Sequence, residues 1–455
     1  MNDLSLTAPP PLALTALAAA GLLALLLSLG RRLEPALKLE RFGVPAALVA
    51  GLTGLLLGPY GPVPLLPASI TDIWVQLPTP LLTLVFATLM LGRPLPRGRG
   101  LVRPVAIQAL MGLLLGFGQY LVGGLVVLFV LIPHLGVNPL MGCLIEVGFE
   151  GGHGTAAAMG ESFRQLGFDS GQDLGLAMAT VGLLASTIVG SALVVLGRWR
   201  GWVKPAEEEP LADRTGAVEE PTTLLMRLRI LALNLGFAGC AVGIGELALQ
   251  GLRLLSPWLG EGYRQVMTVF PVFPLALLGS LLVRLSLERL ERTAWVSQIL
   301  QRELATLATD LLIIAAMAAL NLPQLAHDWL PITLLSLVGL AWNLVGILVV
   351  APRVIADDWF ERAITEYGQA TGVAASGLLL LRLVDPLNRS STLPVFSLKQ
   401  LVMQPVLSGG IVTVIAPLAV QRLGLLGWTE LCGLLTIVWI GLALLLRHWP
   451  EPAAN

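Results

Sequence analysis

A succession of apolar runs, each near the twenty residues that carry a helix across roughly 30 Å of hydrocarbon, constrains this chain more than any other feature. Runs at 11–29, 43–60, 73–92, 105–132 and 174–196 come before the middle of the chain, and runs at 224–249, 266–283, 304–322, 330–350, 401–420 and 425–446 follow it. The reading is about eleven membrane-spanning helices. Only 13% of residues are charged against 55% hydrophobic, so lipid is the expected solvent and the polar stretches are too short for a separate soluble domain. That excludes a nucleic-acid partner, and no enzyme is expected: no nucleophile, base and orienter lie near one another in a sequence with four histidines. Cys143, Cys240 and Cys432 lie apart in apolar stretches and read as buried free thiols. The run at 11–29 lacks a preceding basic segment and a small-residue cleavage site, and is expected to remain as a span.

Charge placement sets the orientation. Of the 28 Lys and Arg, all but Arg164, Arg253, Arg264 and Arg422 fall on one side of these spans. Short cytoplasmic loops carry the positive excess, so the N-terminus is expected outside, the C-terminus in the cytoplasm, and the protein in a bacterial inner membrane. Prolines at 78, 80, 271 and 274 are expected to kink the third and seventh spans.

The segment 198–223, with Trp199, Trp202, Pro205, Pro210 and the acidic run Glu207, Glu208 and Glu209, is too polar for a span and reads as a cytoplasmic linker. It divides a first five-helix unit, 1–197, from a second, 224–420, leaving an extra helix and tail at 421–455. Each unit carries a glycine-rich insert between its fourth and fifth spans, near 139–172 and near 357–398. An odd number of spans forces the two units to enter from opposite sides, the inverted-repeat architecture of many secondary transporters, whose discontinuous segments hold substrate and ions. Placing Gly154 on Gly372 also matches Ala156 with Ala374 and Ala157 with Ala375.

The first insert reads GFEGGHGTAAAMGESF from Gly148. Glycines cost about 1 kcal/mol each in a helix, so Gly151, Gly152 and Gly154 are expected to break it into two short arms of a re-entrant hairpin. Non-helical backbone at membrane depth persists only where protein or a water-filled cavity satisfies it, so the break should line a cavity, with Thr155 opening the second arm. Close packing through small residues is the competing reading. His153 has three roles open to it: bonding a substrate, carrying a proton, or capping a carbonyl. Glu146 and Glu150 share a helical face if the arm is helical, and Glu150 has the better claim to the site.

The second insert, EYGQATGVAASGLLLLRLVDP from Glu366, should break at 371–376, where Thr371, Gly372 and Ser376 are the candidates. Arg382 suits a substrate carboxylate and Asp385 a cation, although an internal ion pair, or a surface turn at Asp385 before Pro386, explains them equally. Asp310 and Asn343 interrupt otherwise apolar helices and should face inward, to coordinate an ion or to bond a neighbouring helix.

The segment GVNPLMGCLIEVGFEGGHGTAAA, preceded by a long helix containing Gln119, resembles the bacterial sodium:glutamate symporter family, whose first half carries a GGHGT motif in its re-entrant segment. Residue matching concentrates on 119–160, and the second insert lacks the proline-containing, Thr-rich break of that family, which marks a divergent member. The resemblance implies sodium-coupled uptake of glutamate or a related carboxylated amino acid by alternating access, and a homodimer in which a mobile core moves against a scaffold. It places the family motif on Gly151, Gly152, His153, Gly154 and Thr155. Asp310, Asn343 and Thr371 are the candidates for the sodium site, and no cofactor is expected beyond that coupling ion. A proton-coupled or exchange transporter of another small carboxylate is the nearest alternative, and a non-transporting sensor or channel a further one.

Overall fold

A computed structural model describes residues 12–36, 45–91, 101–203, 224–386 and 389–448, and every regular element among them is helical. The linker expected at 198–223 lies largely outside the described residues. Among the described residues, seven helical stretches are long and apolar enough to cross a membrane.

The chain opens with α1 (Leu12–Ala36) and α2 (Ala46–Leu57), then α3 (Ala68–Trp74) and α4 (Pro78–Leu89). The third expected span is thus two helices rather than one kinked rod. Pro78 opens α4, where its missing N–H costs nothing because the first amides of a helix have no intrahelical partner.

Next comes α5 (Val102–Val126), which widens through a π-helical turn at Val127–Leu131 into α6 (Ile132–Leu135). Pro133 lies just beyond that turn and cannot donate the amide bond that would keep the helix at its normal pitch. The same sequence of geometry recurs in the second half. There α16 (Trp329–Val345) widens at Gly346–Val350 into α17 (Ala351–Val354), with Pro352 in the corresponding place.

The first insert follows α6 as a 3₁₀ turn at Pro139–Cys143, then α7 (Leu144–Gly148), α8 (Gly152–Ala158) and α9 (Gly160–Gln165). Asn138 Nδ2 donates to the Gly167 carbonyl at 3.0 Å, so the segment leaves and returns at one place. At the break the chain stays tightly wound: a Cβ built on Gly151 would sit 2.5 Å from the Val147 carbonyl oxygen, four residues before it, and 2.9 Å from Thr155 Cβ, four residues after. The chain then continues as α10 (Gly171–Trp199).

The second half begins with α11 (Leu224–Leu254), α12 (Ser256–Val269) and α13 (Phe273–Arg289), followed by α14 (Gln298–Ala318) and a short α15 (Leu322–His327). As with the third span, the prolines at 271 and 274 mark a break between α12 and α13 rather than a kink within one helix. After α17 the second insert is α18 (Trp359–Val384), broken at Gly372 and Val373, where φ is −155° and 71°. Its arms pack through glycines, since a Cβ on Gly368 would lie 2.6 Å from the Cα of Gly377. Its ends also meet, because Ser391 donates from its backbone N–H (2.9 Å) and its hydroxyl (3.1 Å) to Asp358 Oδ2. Replacing Asp358 by Ala removes both bonds and is expected to cost about 1–3 kcal/mol. The check is the melting temperature of the purified protein, which should fall by a few degrees.

The chain ends with α19 (Thr392–Met403) and α20 (Ile411–His448). The span expected to run unbroken over 401–420 is interrupted between them: Ser408 (φ 58°) and Gly409 (φ 89°) hold left-handed backbone. A second break, at Gly424 (φ 73°), reverses the chain within α20. Before it Gln421 donates to the Leu166 carbonyl at the base of the first insert. After it the helix runs back along α5 until Arg103 donates to the Leu446 carbonyl at 2.9 Å. The two last expected spans are therefore distinct legs. One apolar core surrounds the first insert, with Phe149, Phe163 and Tyr120, and another surrounds the second, with Phe360, Tyr367 and Leu380.

Candidate functional site

The tips of the two inserts touch. Gly152 has φ 69°, and a Cβ added there would overlap Cγ1 of Val373, the residue at the break of α18. Neither a side chain at Gly152 nor a regular helix at either break is compatible with this approach, which is the physical use of glycine at that position. α10 supplies the wall: Gly182 leaves room for the Thr371 carbonyl and Ser186 faces Gly372. The third backbone break, 404–410, closes the group, with a Cβ on Gly409 lying 2.6 Å from Thr155 Oγ1.

The sequence-chosen residues divide into two sets. Gln119 donates to the Ala370 carbonyl at 2.7 Å and to Asn343 Oδ1 at 3.2 Å, so these two amides hold the end of the first arm of α18. Thr371 turns its hydroxyl back onto the Tyr367 carbonyl (2.6 Å), and Ser376 bonds the Gly372 carbonyl across the break. His153 Nε2 is 3.0 Å from the Thr180 hydroxyl of α10, and Thr155 is buried. Gly151, Gly152, His153, Gly154, Thr155, Glu150, Gln119, Asn343, Thr371, Gly372 and Ser376 are thus brought around the two tips. Three are not. Asp310 pairs with Arg31 at 3.3 Å on the side of α14 turned to α1. Arg382 is exposed, and Asp385, itself buried, accepts from the amides of Arg389 (2.8 Å) and Ser390 (2.9 Å) in the turn after α18.

Around the same centre lies a buried polar network that sequence reasoning did not assemble. Lys399, counted above among the loop charges, is fully buried (0% exposed) on α19. Its Nζ donates to Glu366 Oε1 at 2.6 Å and to Gln369 Oε1 at 3.1 Å, both on the first arm of α18. Gln108 of α5 donates to Glu366 Oε2 at 2.7 Å and accepts from Arg362 Nε at 3.0 Å. Opposite, Glu146 accepts from the Tyr120 hydroxyl (2.5 Å), the Thr413 hydroxyl (2.8 Å) and the Ser408 amide (3.3 Å). Glu150 accepts from the Ser408 hydroxyl at 3.0 Å. The signal available in the sequence was a lone Lys in the apolar stretch 393–403, and Glu366 with Gln369 one turn apart. Nothing in one sequence says that these face each other.

An all-helical chain with interrupted helices converging on buried charge belongs to the class of multi-pass membrane transport proteins rather than enzymes. The sodium/glutamate symporter family model matches residues 12–365, and the chain is a member of that family. No curated protein and no solved structure matches it. The matched region contains the GGHGT segment that carried the resemblance and stops before the second break.

Proposed function

We propose that this protein is a sodium-coupled symporter of glutamate or a related carboxylated amino acid, working by alternating access. The observation that carries the reading is the apposition of two backbone breaks, Gly152 against Val373, inside a buried polar centre. Broken arms leave main-chain amides and carbonyls without helical partners, and in a membrane interior such groups persist where they serve a charged cargo. In this reading the inserts are re-entrant hairpins of two inverted five-helix repeats. The substrate lies against Gly151, Gly152, His153, Gly154 and Thr155 on one side and Thr371, Gly372 and Ser376 on the other. The protein sits in the inner membrane with its basic loops in the cytoplasm and works as a homodimer. Inward movement of a net positive charge gains roughly 2.3 kcal/mol per 100 mV, which drives accumulation of an anion when cations exceed it.

The test is uptake of labelled glutamate into proteoliposomes. Accumulation under an inward sodium gradient, lost when choline replaces sodium, is the expected result; equal uptake in choline rejects sodium symport. Three buried carboxylates, Glu146, Glu150 and Glu366, around one buried ammonium, Lys399, favour proton coupling as the second reading. Uptake driven by a pH gradient without sodium would select it.

A further inference from the structure

The buried polar centre is unevenly satisfied: Gln119 Oε1 and the Gln400 amide lack partners, and among its three carboxylates the imbalance falls on one atom. Glu366 has Lys399 and Gln108. Glu146 has three donors. Glu150, only 2% exposed, has the Ser408 hydroxyl on Oε1, while its Oε2 is buried with no hydrogen-bond partner. A carboxylate oxygen left bare in a low-dielectric interior is strongly destabilised unless a positive charge joins it.

The surroundings say which kind of charge fits. Oε2 packs on Gly116 of α5, where a Cβ would be 3.0 Å from it and 2.8 Å from Leu407 Cδ1, the side chain that shares this close approach. One helical turn along the same face, the notch at Gly112 is filled by Glu366 Oε1 and Lys399 Nζ, each 2.8 Å from a Cβ built there. The two glycines are about 6 Å apart along the helix axis. Two acidic groups thus line one face of α5, and one already holds a cation, the Lys399 ammonium. The groups facing Glu150 from neighbouring elements are Glu146 on its own arm, Glu366 on α18 and Lys399 on α19. Lys399 matches Glu366, and Glu146 has three uncharged donors, so Glu150 is left with one bare oxygen that a single positive charge would satisfy. Among the described residues no His, Cys, Asp and Glu group suits a multivalent metal.

We propose that Glu150, through its bare Oε2 and with the Ser408 hydroxyl beside it, holds the coupling cation, a single positive charge, where the first insert meets α5 at Gly116 and Leu407, and that the Lys399–Glu366 pair keeps the site monovalent. This rests on the symport reading above and adds the residues that bind the ion. It moves the sodium site away from Asp310, which is occupied by Arg31, and onto the junction of the first insert with the break at 404–410. Ser408 joins that break to Glu150 and Glu146 together, so cation binding there would fasten the first insert to α19 and α20.

The experiment separates ion binding from transport. Purified protein is titrated with sodium chloride against choline chloride at fixed ionic strength, reading thermal stabilisation, and titrated separately with pH. The same variants are assayed for glutamate uptake. The wild type should be stabilised by sodium, and Glu150→Gln should raise the half-saturating sodium concentration by at least about tenfold, the weight of one lost charged ligand. Ser408→Ala, which keeps the backbone and removes only the hydroxyl, should raise it by a few-fold and serves if Glu150→Gln fails to fold. A half-saturating sodium concentration unchanged from the wild type in either variant overturns the site. If uptake nevertheless follows the sodium gradient, the symport reading survives and the ion sits elsewhere. Stabilisation by acid rather than sodium, lost in Glu150→Gln, keeps Glu150 as the cation site with a proton as the ion and removes sodium symport.

Discussion

Lys399→Met is expected to destabilise the protein by about 3–5 kcal/mol, the usual consequence of stripping one partner from a buried ion pair. The Glu366 carboxylate, at 1% side-chain exposure, would keep Gln108 but lose the ammonium bonded to it. Thermal unfolding of purified protein, and the yield of monodisperse material, read the effect directly. Neutralising the other partner in the same chain, Lys399→Met with Glu366→Gln, should recover most of the loss, because an amide there still meets Gln108 and no charge remains to be solvated. A single variant as stable as the wild type would mean that Glu366 is neutral when paired, and the charge balance of the centre would have to be redrawn.

Gly152→Ala is expected to lower the uptake rate by about tenfold or more while the protein still folds. The added methyl meets a backbone with φ 69°, which disfavours any L side chain by about 1–2 kcal/mol, and overlaps Val373 Cγ1. Val373 itself holds φ 71°, unusual for a β-branched residue, so strain is already stored on the facing tip. Val373→Gly removes both the strain and the overlapping methyl. Combined with Gly152→Ala, it should restore a large part of the uptake in proteoliposomes. Wild-type uptake by Gly152→Ala alone would show that the tips need not meet during transport.

Much of the fold was legible because a bilayer leaves few solutions. Apolar runs had to be helices, and consecutive glycines at 151 and 152 had to interrupt one. The family resemblance, carried by the GGHGT segment, agrees with the family match over residues 12–365. The second tip was placed within 371–376 from Gly372, and the break falls at Gly372 and Val373. The break at 404–410 was missed because hydropathy alone was weighed there: it counts side chains and passes over Pro405 and the consecutive Gly409 and Gly410, a signal of the same kind as that at 151 and 152. Lys399 was misplaced for a related reason. Charge sorting assigns every Lys to the nearest loop, whereas this ammonium is drawn inside by Glu366 and Gln369.

The sequence by itself determined that the chain is helical, that it belongs in lipid and where two of its helices break, because those properties follow from side-chain hydropathy and from the backbone freedom of glycine. Only the tertiary structure decided which polar residues meet. Glu150, Ser408, Lys399 and Glu366 come from four separate elements, and their pairing depends on how α5, with its notches at Gly112 and Gly116, lets distant segments approach. Electrostatic energy varies with distance and burial, and neither quantity is written in the order of residues along the chain.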